Sequence, residues 1–214
     1  MIYFLSDIHG GESTDGLYRY LSFCTYDDLL IILGDLGLDF EDTAACREFT
    51  QYFKTINKKI AVIDGNHENF GFINSLPTGD MYGGQVRILN ESIVFLTRGN
   101  IYSIDGQTFF VMGGCESSEK WRKAGLWSPL ENPNREEIDR AYKNLSKHNN
   151  RVDYVLTHRY TKPEKNADPM TLDGLISYID KNVEFRHWFS GHWHEYREID
   201  DRHTVVYDIP RKLL

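Results

Sequence analysis

The sequence predicts an α/β fold in which a largely parallel sheet is covered by helices on both faces. In the N-terminal third, short uninterrupted apolar runs alternate with helical patterns, as parallel strands joined by helices require. The middle of the chain carries closely spaced apolar runs separated by turn residues, which is typical of antiparallel strands. Polar side chains recur directly after apolar runs, where ligand sites of open α/β sheets lie.

The N-terminal third contains three predicted strands that are apolar throughout: residues 2–5, 29–33 and 60–63. A short helix over residues 18–24 and a longer helix over residues 41–56 separate them. In the longer helix, apolar residues follow the i, i+3, i+4, i+7 pattern of one helix face: Phe49, Tyr52, Phe53 and Ile56. This alternation is the pattern of a parallel sheet buried on both sides.

The middle of the chain has a different pattern. Residues 86–112 predict short antiparallel strands, and Asp105-Gly106 is their strongest hairpin signal. Residues 113–133 follow as a long loop rich in Gly, Ser, Trp and charged residues. The chain therefore adds antiparallel strands to the parallel arrangement.

The C-terminal part returns to helices and strands. Helices are predicted over residues 135–147 and 172–179. Strands are predicted over residues 154–156, 185–189 and 204–207, and a polar loop with two prolines over residues 162–169. No internal repeat or linker divides the sequence, so residues 1–214 predict a single domain.

Composition narrows the classes of function. A net charge of −8 argues against an extended nucleic-acid surface, which needs clustered Lys and Arg. No stretch approaches the roughly 20 apolar residues of a membrane span, and Met1 leads into the first strand without a signal-peptide pattern. The three cysteines have no zinc-like spacing, which fits a reduced compartment. We expect a cytoplasmic protein without a membrane partner, and composition leaves its oligomeric state open.

Eight side chains of metal-ligand type follow five predicted strands: Asp7, His9, Asp35, Asn66, His67, His158, His192 and His194. Because the carboxyl ends of the strands meet at one edge of a sheet, we expect these side chains to converge. They exceed the four donors of one tetrahedral zinc site and suit two neighbouring cations with a bridging carboxylate. Mixed imidazole, carboxylate and amide donors indicate manganese, iron or zinc.

The order of these residues carries a resemblance to a known family. The motifs are Asp7-x-His9, Gly34-Asp35, Gly65-Asn66-His67-Glu68, His158 and Gly191-His192-x-His194. In this order they resemble the calcineurin-like metallophosphoesterases, over nearly the whole chain. The run from Gly113 to Lys120 looks like a loop of small bacterial and phage members.

The resemblance implies a four-layer α-β-β-α sandwich with two central mixed sheets and a metal centre at strand ends. It implies two divalent cations, with manganese favoured. One cation would be held by Asp7, His9 and His194, the other by Asn66, His158 and His192, with Asp35 bridging them. By the same resemblance, His67 would be the general acid, and Asn66 and His67 would contact the substrate.

Two segments stand apart from the main motifs. Many family members carry a further acidic residue three positions after the bridging aspartate, where this chain has Leu38, with Asp39 one place later. This departure bears on a substrate contact rather than on the metal centre.

In the long loop, Lys120 and Arg122 are predicted to touch the substrate phosphate, although such a run of charged residues is also typical of a solvated surface.

The expected function is metal-dependent hydrolysis of phosphate mono- or diesters by a hydroxide that bridges the two cations, with Asp35 and His67 as catalytic residues. Short inserts favour a small or exposed substrate, such as a nucleotide, a phosphoprotein or a nucleic-acid end. Two alternatives stay open: a catalytically silent scaffold of the same fold, and a metal-binding interaction, storage or sensor protein.

Overall fold

A computed structural model describes residues 1–213 as thirteen strands, six helices and one helical turn at His9–Gly11. The strands are β1 (Ile2–Leu5), β2 (Leu29–Leu33), β3 (Lys59–Ile63), β4 (Thr78–Met81), β5 (Gly84–Ile88), β6 (Ile93–Leu96), β7 (Asn100–Ile104), β8 (Gln107–Met112), β9 (Tyr154–Thr157), β10 (His187–Ser190), β11 (Arg197–Asp200), β12 (His203–Val205) and β13 (Arg211–Lys212). The helices are α1 (Asp15–Phe23), α2 (Ala44–Lys54), α3 (Phe70–Ser75), α4 (Glu119–Lys123), α5 (Arg135–Lys147) and α6 (Leu172–Asn182).

The strands form two mixed sheets. The first has seven strands in the order β13-β1-β2-β3-β6-β5-β4, and β1, β2, β3 and β6 run parallel. The second has six strands in the order β11-β12-β10-β9-β8-β7, of which the inner four run parallel. The carboxyl ends of the parallel strands in each sheet therefore lie at a common edge.

Three apolar cores separate four layers. Alternate residues of β1 face opposite ways: Tyr3 and Leu5 pack under α1 and α2, whereas Ile2 and Phe4 pack between the two sheets. A third core lies between the second sheet and the helices α5 and α6, and includes Trp188. The predicted α/β class with two mixed sheets in a four-layer sandwich is thus confirmed.

The predicted elements agree with the structure except in the short polar ones. The sequence missed β4, β11 and β13, and it missed the helices α3 and α4, because these elements are too short or too polar to show a period. The sequence pattern also predicted only antiparallel strand pairing for residues 86–112. The hairpin of β7 and β8 turns at Asp105-Gly106 as predicted, but β6 and β8 also pair in parallel with β3 and β9. Within residues 1–213, every helix is too short or too polar to cross a membrane.

Candidate metal centre

Side chains from both sheets meet where five strands end. The first sheet contributes Asp7 and His9 after β1, Asp35 after β2, and Asn66 and His67 after β3. The second sheet contributes His158 after β9, and His192 and His194 after β10. All eight residues predicted from the sequence therefore come together: six form two groups of donor atoms, Asp35 lies between the groups, and His67 lies beside them.

The first group contains Asp7, His9 and His194. The Nε2 atoms of His9 and His194 are 2.9 Å apart, and both face Oδ1 of Asp7, at 3.8 Å and 3.4 Å. This carboxylate oxygen is buried, and within residues 1–213 it accepts no hydrogen bond. A buried, unsatisfied anionic oxygen facing two imidazole nitrogens is the arrangement that a cation would satisfy.

The second group surrounds Nε2 of His158, which is fully buried. This atom lies 3.1 Å from Oδ1 of Asn66 and 3.3 Å from Nδ1 of His192. The other ring nitrogen of His158 donates to the carbonyl of Leu33 at 2.8 Å, which turns Nε2 toward the centre. Burial lowers the pKa of His192 to about 4, so this imidazole is neutral, as a metal ligand must be.

Asp35 lies between the two groups. Its Oδ2 is 3.4 Å from Nε2 of His158 and 3.8 Å from Nε2 of His9. Burial disfavours the ionised carboxylate of Asp35 and the protonated imidazole of His158. Nevertheless, the carboxylate raises the pKa of His158 well above its usual value, and His158 holds the pKa of Asp35 below its usual range. A divalent cation here would take the place of the proton on His158.

Backbone hydrogen bonds orient both carboxylates. The N–H of His192 donates to Oδ2 of Asp7 at 2.9 Å, and the N–H of His67 donates to Oδ1 of Asp35 at 2.7 Å. In each carboxylate, one oxygen accepts a backbone hydrogen bond and the other faces imidazole nitrogens of the donor groups. The backbone therefore orients both carboxylates toward the donor atoms around them.

The backbone at the centre is strained. Five non-glycine residues have positive φ angles: Asp7 (60°), His9 (49°), Asp35 (54°), His192 (74°) and His194 (51°). Each such conformation costs on the order of 1–3 kcal/mol and persists only where the surrounding structure enforces it. Such strain is concentrated at functional sites, so its presence at five predicted ligands favours a role in binding.

Two glycines permit this packing. A Cβ on Gly191 would lie 1.8 Å from Oγ of Ser6, and a Cβ on Gly34 would lie 2.2 Å from Nδ1 of His158. Both contacts are far below van der Waals distance, so only glycine fits at these positions. The Gly34-Asp35 and Gly191-His192 motifs thus have a steric reason.

Glu68 ties the ends of β2 and β3 together. Its carboxylate accepts hydrogen bonds from the N–H groups of Leu36 and Gly37, both at 3.0 Å, and of Gly65 at 3.3 Å. Burial and the nearby Asp35 charge raise the pKa of Glu68 to about 8, although the N–H groups favour the ionised form. The sequence contained Glu68 within a motif, but its positioning role follows only from these contacts.

His67 lines an open groove beside the centre. The groove, about 510 Å³, is also lined by His9, His194, Phe40 and Trp121. The ring of His67 makes edge contacts with Trp121 and Phe40, at centroid distances of 4.7 Å and 5.2 Å. Burial in this aromatic setting lowers the pKa of His67.

The two predicted substrate contacts in the long loop, Lys120 and Arg122, are not among the residues that line the groove. The ammonium of Lys120 sits 5.1 Å from the ring centroid of Trp121, and the guanidinium of Arg122 pairs with Glu116. The neighbouring side chain of Trp121 lines the groove instead. The carboxylate of Asp39 faces Lys54 at 3.7 Å on the surface, so it does not replace the acidic residue absent at Leu38.

Two further residues at the centre were not singled out for a role from the sequence. Cys115, fully buried, follows β8 and lies 3.0 Å from Oδ1 of Asn66. Tyr207 stacks on the ring of His194 at 5.4 Å with parallel planes. The strand-end rule that found the other ligands also applies to Cys115, whereas nothing in the sequence pattern marks Tyr207.

The geometry agrees with a sequence comparison. A family model described as calcineurin-like phosphoesterase matches residues 1–196. The chain belongs to this family. No curated protein matches the sequence.

Two solved structures are similar to this calcineurin-like phosphoesterase chain, and the one with the higher TM-score supports the fold. One structure is 11% identical, covers 96% of this chain and 88% of its own, and has a TM-score of 0.51. A protein of unknown function from Aquifex aeolicus is 14% identical over 86% of this chain and 87% of its own, with a TM-score of 0.43. At 11% identity the first likeness concerns the fold alone.

Proposed function

We propose that the protein is a metal-dependent phosphoesterase that hydrolyses phosphate mono- or diesters with two divalent cations. The observation that carries the proposal is the position of Asp35, whose Oδ2 is within 3.8 Å of imidazole nitrogens from both donor groups. A carboxylate between two sets of donors is the arrangement of a two-cation site. Family membership and the clustered ligand-type residues support the same scaffold.

The residues present fit such cations. The unsatisfied Oδ1 of Asp7 and the nitrogens of His9 and His194 would hold one. Asn66, His158 and His192 would hold the other, and Asp35 would touch both. When bound, a pair of divalent cations neutralises phosphate charge and lowers the pKa of water enough to supply hydroxide near neutral pH. The donor set suits manganese, iron or zinc.

His67 is the proposed general acid. It lines the groove next to His9 and His194, where the leaving oxygen of a bound ester would lie, and its backbone N–H is fixed by Asp35. A lowered pKa makes its protonated form a stronger acid, and the negative charge of a bound phosphate favours that form. Protonation of the leaving alcohol by a positioned side chain contributes about 10²–10⁴-fold.

The groove supports a small or exposed ester as the substrate, such as a nucleotide, a phosphoprotein side chain or a nucleic-acid end. It is open to solvent and has aromatic walls at Phe40 and Trp121, on which a flat group can pack. The acidic net charge of −8 favours a local contact over an extended nucleic-acid surface.

Lys120 and Arg122 stay proposed substrate contacts. Arg122 must leave Glu116 to reach a bound phosphate, so its contribution competes with an existing ion pair. If Arg122→Ala leaves kcat/KM on the natural substrate unchanged, Arg122 has no such role.

The test is hydrolysis of p-nitrophenyl phosphate and bis-p-nitrophenyl phosphate by the full chain, with Mn²⁺ and after chelation. We expect turnover that requires metal and is lost in Asp35→Asn, with Asp15→Asn as a control on the surface helix α1. The preferred ester separates mono- from diesterase activity. Two cations bound per chain without turnover of these or of natural esters would favour the non-catalytic scaffold or the metal-binding protein.

A further inference from the structure

A buried thiol belongs to the second donor group. Cys115 Sγ, one nitrogen of His158 and one nitrogen of His192 all lie within 4.8 Å of one another. We propose that Cys115 is a thiolate ligand of the cation beside His158 and His192, and that its sulfur suits this position to zinc or iron more than to manganese. The inference rests on the proposed cation binding and adds a donor to it.

The distances match those around a small cation. A tetrahedral zinc ion with Zn–N of about 2.0–2.1 Å and Zn–S of about 2.3 Å separates its donor atoms by about 3.3–3.6 Å. Cys115 Sγ lies 3.5 Å from Nδ1 of His192, which in turn lies 3.3 Å from Nε2 of His158. Oδ1 of Asn66 lies 3.0 Å from the sulfur and 3.1 Å from Nε2 of His158, slightly closer than in such a tetrahedron.

A hydrogen-bonded thiol explains this cluster less well. Without a cation the ring of His158 is protonated, because its pKa is raised, but a cation that displaces this proton leaves Nδ1 donating to the carbonyl of Leu33 and Nε2 presenting a lone pair. Oδ1 of Asn66 is also an acceptor. The single S–H proton of Cys115 can satisfy one of these atoms only, whereas a cation in their midst satisfies all of them.

The fold places Cys115 independently of any ligand. Strands β8 and β9 are parallel neighbours in register, with Met112 opposite Thr157, so Cys115 and His158 follow adjacent strand ends. The loop after β8 is fixed by a hydrogen bond from the N–H of Gly114 to the carbonyl of Asp64, at 2.8 Å. The thiol is therefore fully buried and held in position toward the donor group.

Softness of the donors decides the metal preference. Thiolate favours zinc and iron, whereas manganese prefers carboxylate and other oxygen donors. The position beside Cys115 thus differs from the one held by Asp7, His9 and His194, which has no sulfur. On binding, the thiol proton is released to solvent and the sulfur lone pair forms the bond to the cation.

X-ray absorption at the zinc edge tests the proposal on the unmodified, zinc-loaded chain. We expect a sulfur neighbour at about 2.3 Å in addition to nitrogen and oxygen neighbours at about 2.0–2.1 Å. Cobalt loading provides a second signal, a thiolate-to-cobalt charge-transfer band in the near ultraviolet. Both signals should persist in Cys24→Ser, which removes a buried thiol remote from the centre, and disappear in Cys115→Ser.

Affinity supplies a further readout. We expect Cys115→Ser to weaken zinc binding at least about tenfold, because even loss of a residue that only orients a ligand costs about 10–100-fold. Manganese binding should change less. If zinc binds at two per chain without a sulfur neighbour, Cys115 is at most an orienting donor to Asn66 and the proposal is overturned, while the phosphoesterase proposal stands. Failure to bind any cation overturns both.

Discussion

The backbone N–H of His192 donates a 2.9 Å hydrogen bond to Oδ2 of Asp7, across 185 positions of the chain. This bond joins the end of β1 in the first sheet directly to the end of β10 in the second. It occupies one oxygen of Asp7 and leaves the other facing His9 and His194. The geometry of the first donor group thus depends on this contact between the ends of β1 and β10.

Gly191 makes that contact possible, so Gly191→Ala should disturb it. The added Cβ meets Ser6 Oγ and also Asp7 Oδ2, at 2.8 Å. We expect a loss of about 1–3 kcal/mol in the free energy of unfolding, as for overpacked cores, and weaker metal binding. Denaturant unfolding and metal content measure the two effects.

A double-mutant cycle isolates the steric cause. Ser6→Gly removes the nearest clash, so Ser6→Gly with Gly191→Ala should recover part of the lost stability. Gly71→Ala, in helix α3 with a nearest neighbour at 3.3 Å, serves as the matched control. Strictly additive effects of the two changes would argue against the clash as the cause.

Replacement of His67 should affect poor leaving groups most. We expect His67→Gln to lower kcat/KM for an alkyl phosphate by about 10²–10⁴-fold, because the alkoxide needs a proton. The loss should be smaller for p-nitrophenyl phosphate, whose leaving group is stable as an anion. Metal content should stay unchanged, and His148→Gln, on the exposed end of α5, should behave as the unmodified protein. Equal losses for both esters would exclude the role of general acid.

Trp121 should set the pH range of His67. Burial lowers the pKa of His67, and Trp121 supplies part of that burial. Trp121→Ala admits water, so the pKa of His67 should rise toward its usual value and activity should extend to higher pH. The pH profile of kcat/KM measures this shift, with Lys123→Ala as the neighbouring control. An unmoved profile would mean that another group limits the rate.

The pH dependence of stability should change sign when cations bind. In the metal-free protein, the pKa values of His158 and Glu68 are raised, the latter from 4.5 to about 8. Groups with raised pKa contribute stability that is complete below their unfolded pKa and is lost as the pH rises through the folded pKa. His192, whose pKa is lowered to about 4, and His67, whose pKa is also lowered, have the opposite effect below the pKa of an unfolded His, about 6.5. The chelated protein should therefore lose stability as the pH rises above about 6.5.

Cations should reverse this slope, because they bind the deprotonated ligands. Thermal unfolding between about pH 6.5 and 8, with chelator and with Zn²⁺ or Mn²⁺, tests the reversal. Glu68→Gln should flatten the slope of the chelated protein and preserve the side-chain shape. Parallel slopes with and without metal would contradict the assignment of His158 as a ligand.

The sequence predicted the parts of the fold that rest on apolar periodicity. The strands β1, β2 and β3, buried on both faces, and the amphipathic helix α5 were placed to within about a residue. The polar strand β11 at a sheet edge has no apolar face to reveal it. The parallel pairing of β6 and β8 was also missed, because pairing between distant segments depends on topology rather than on local pattern.

The candidate centre was predictable because its residues of metal-ligand type follow strand ends in a fixed order. The contacts that hold these residues in position could not be predicted. The stacking of Tyr207 on His194 and the clamp of Glu68 are contacts between segments that no short motif describes. No sequence pattern marks Trp121 of the short helix α4, and only the folded structure reveals that it lines the groove beside His67.

The placement of ligands on both sheets has a consequence for how the molecule opens. Without cations, the two sheets are held together mainly by the apolar core between them, and each is able to exchange its amide hydrogens through its own partial unfolding. Cations bound to Asp7 and Asn66 on one side and to His158 and His192 on the other would act as a cross-link. We expect amide exchange in β1–β3 and in β9–β10 to slow together on metal addition, so that partial unfolding merges into one global transition.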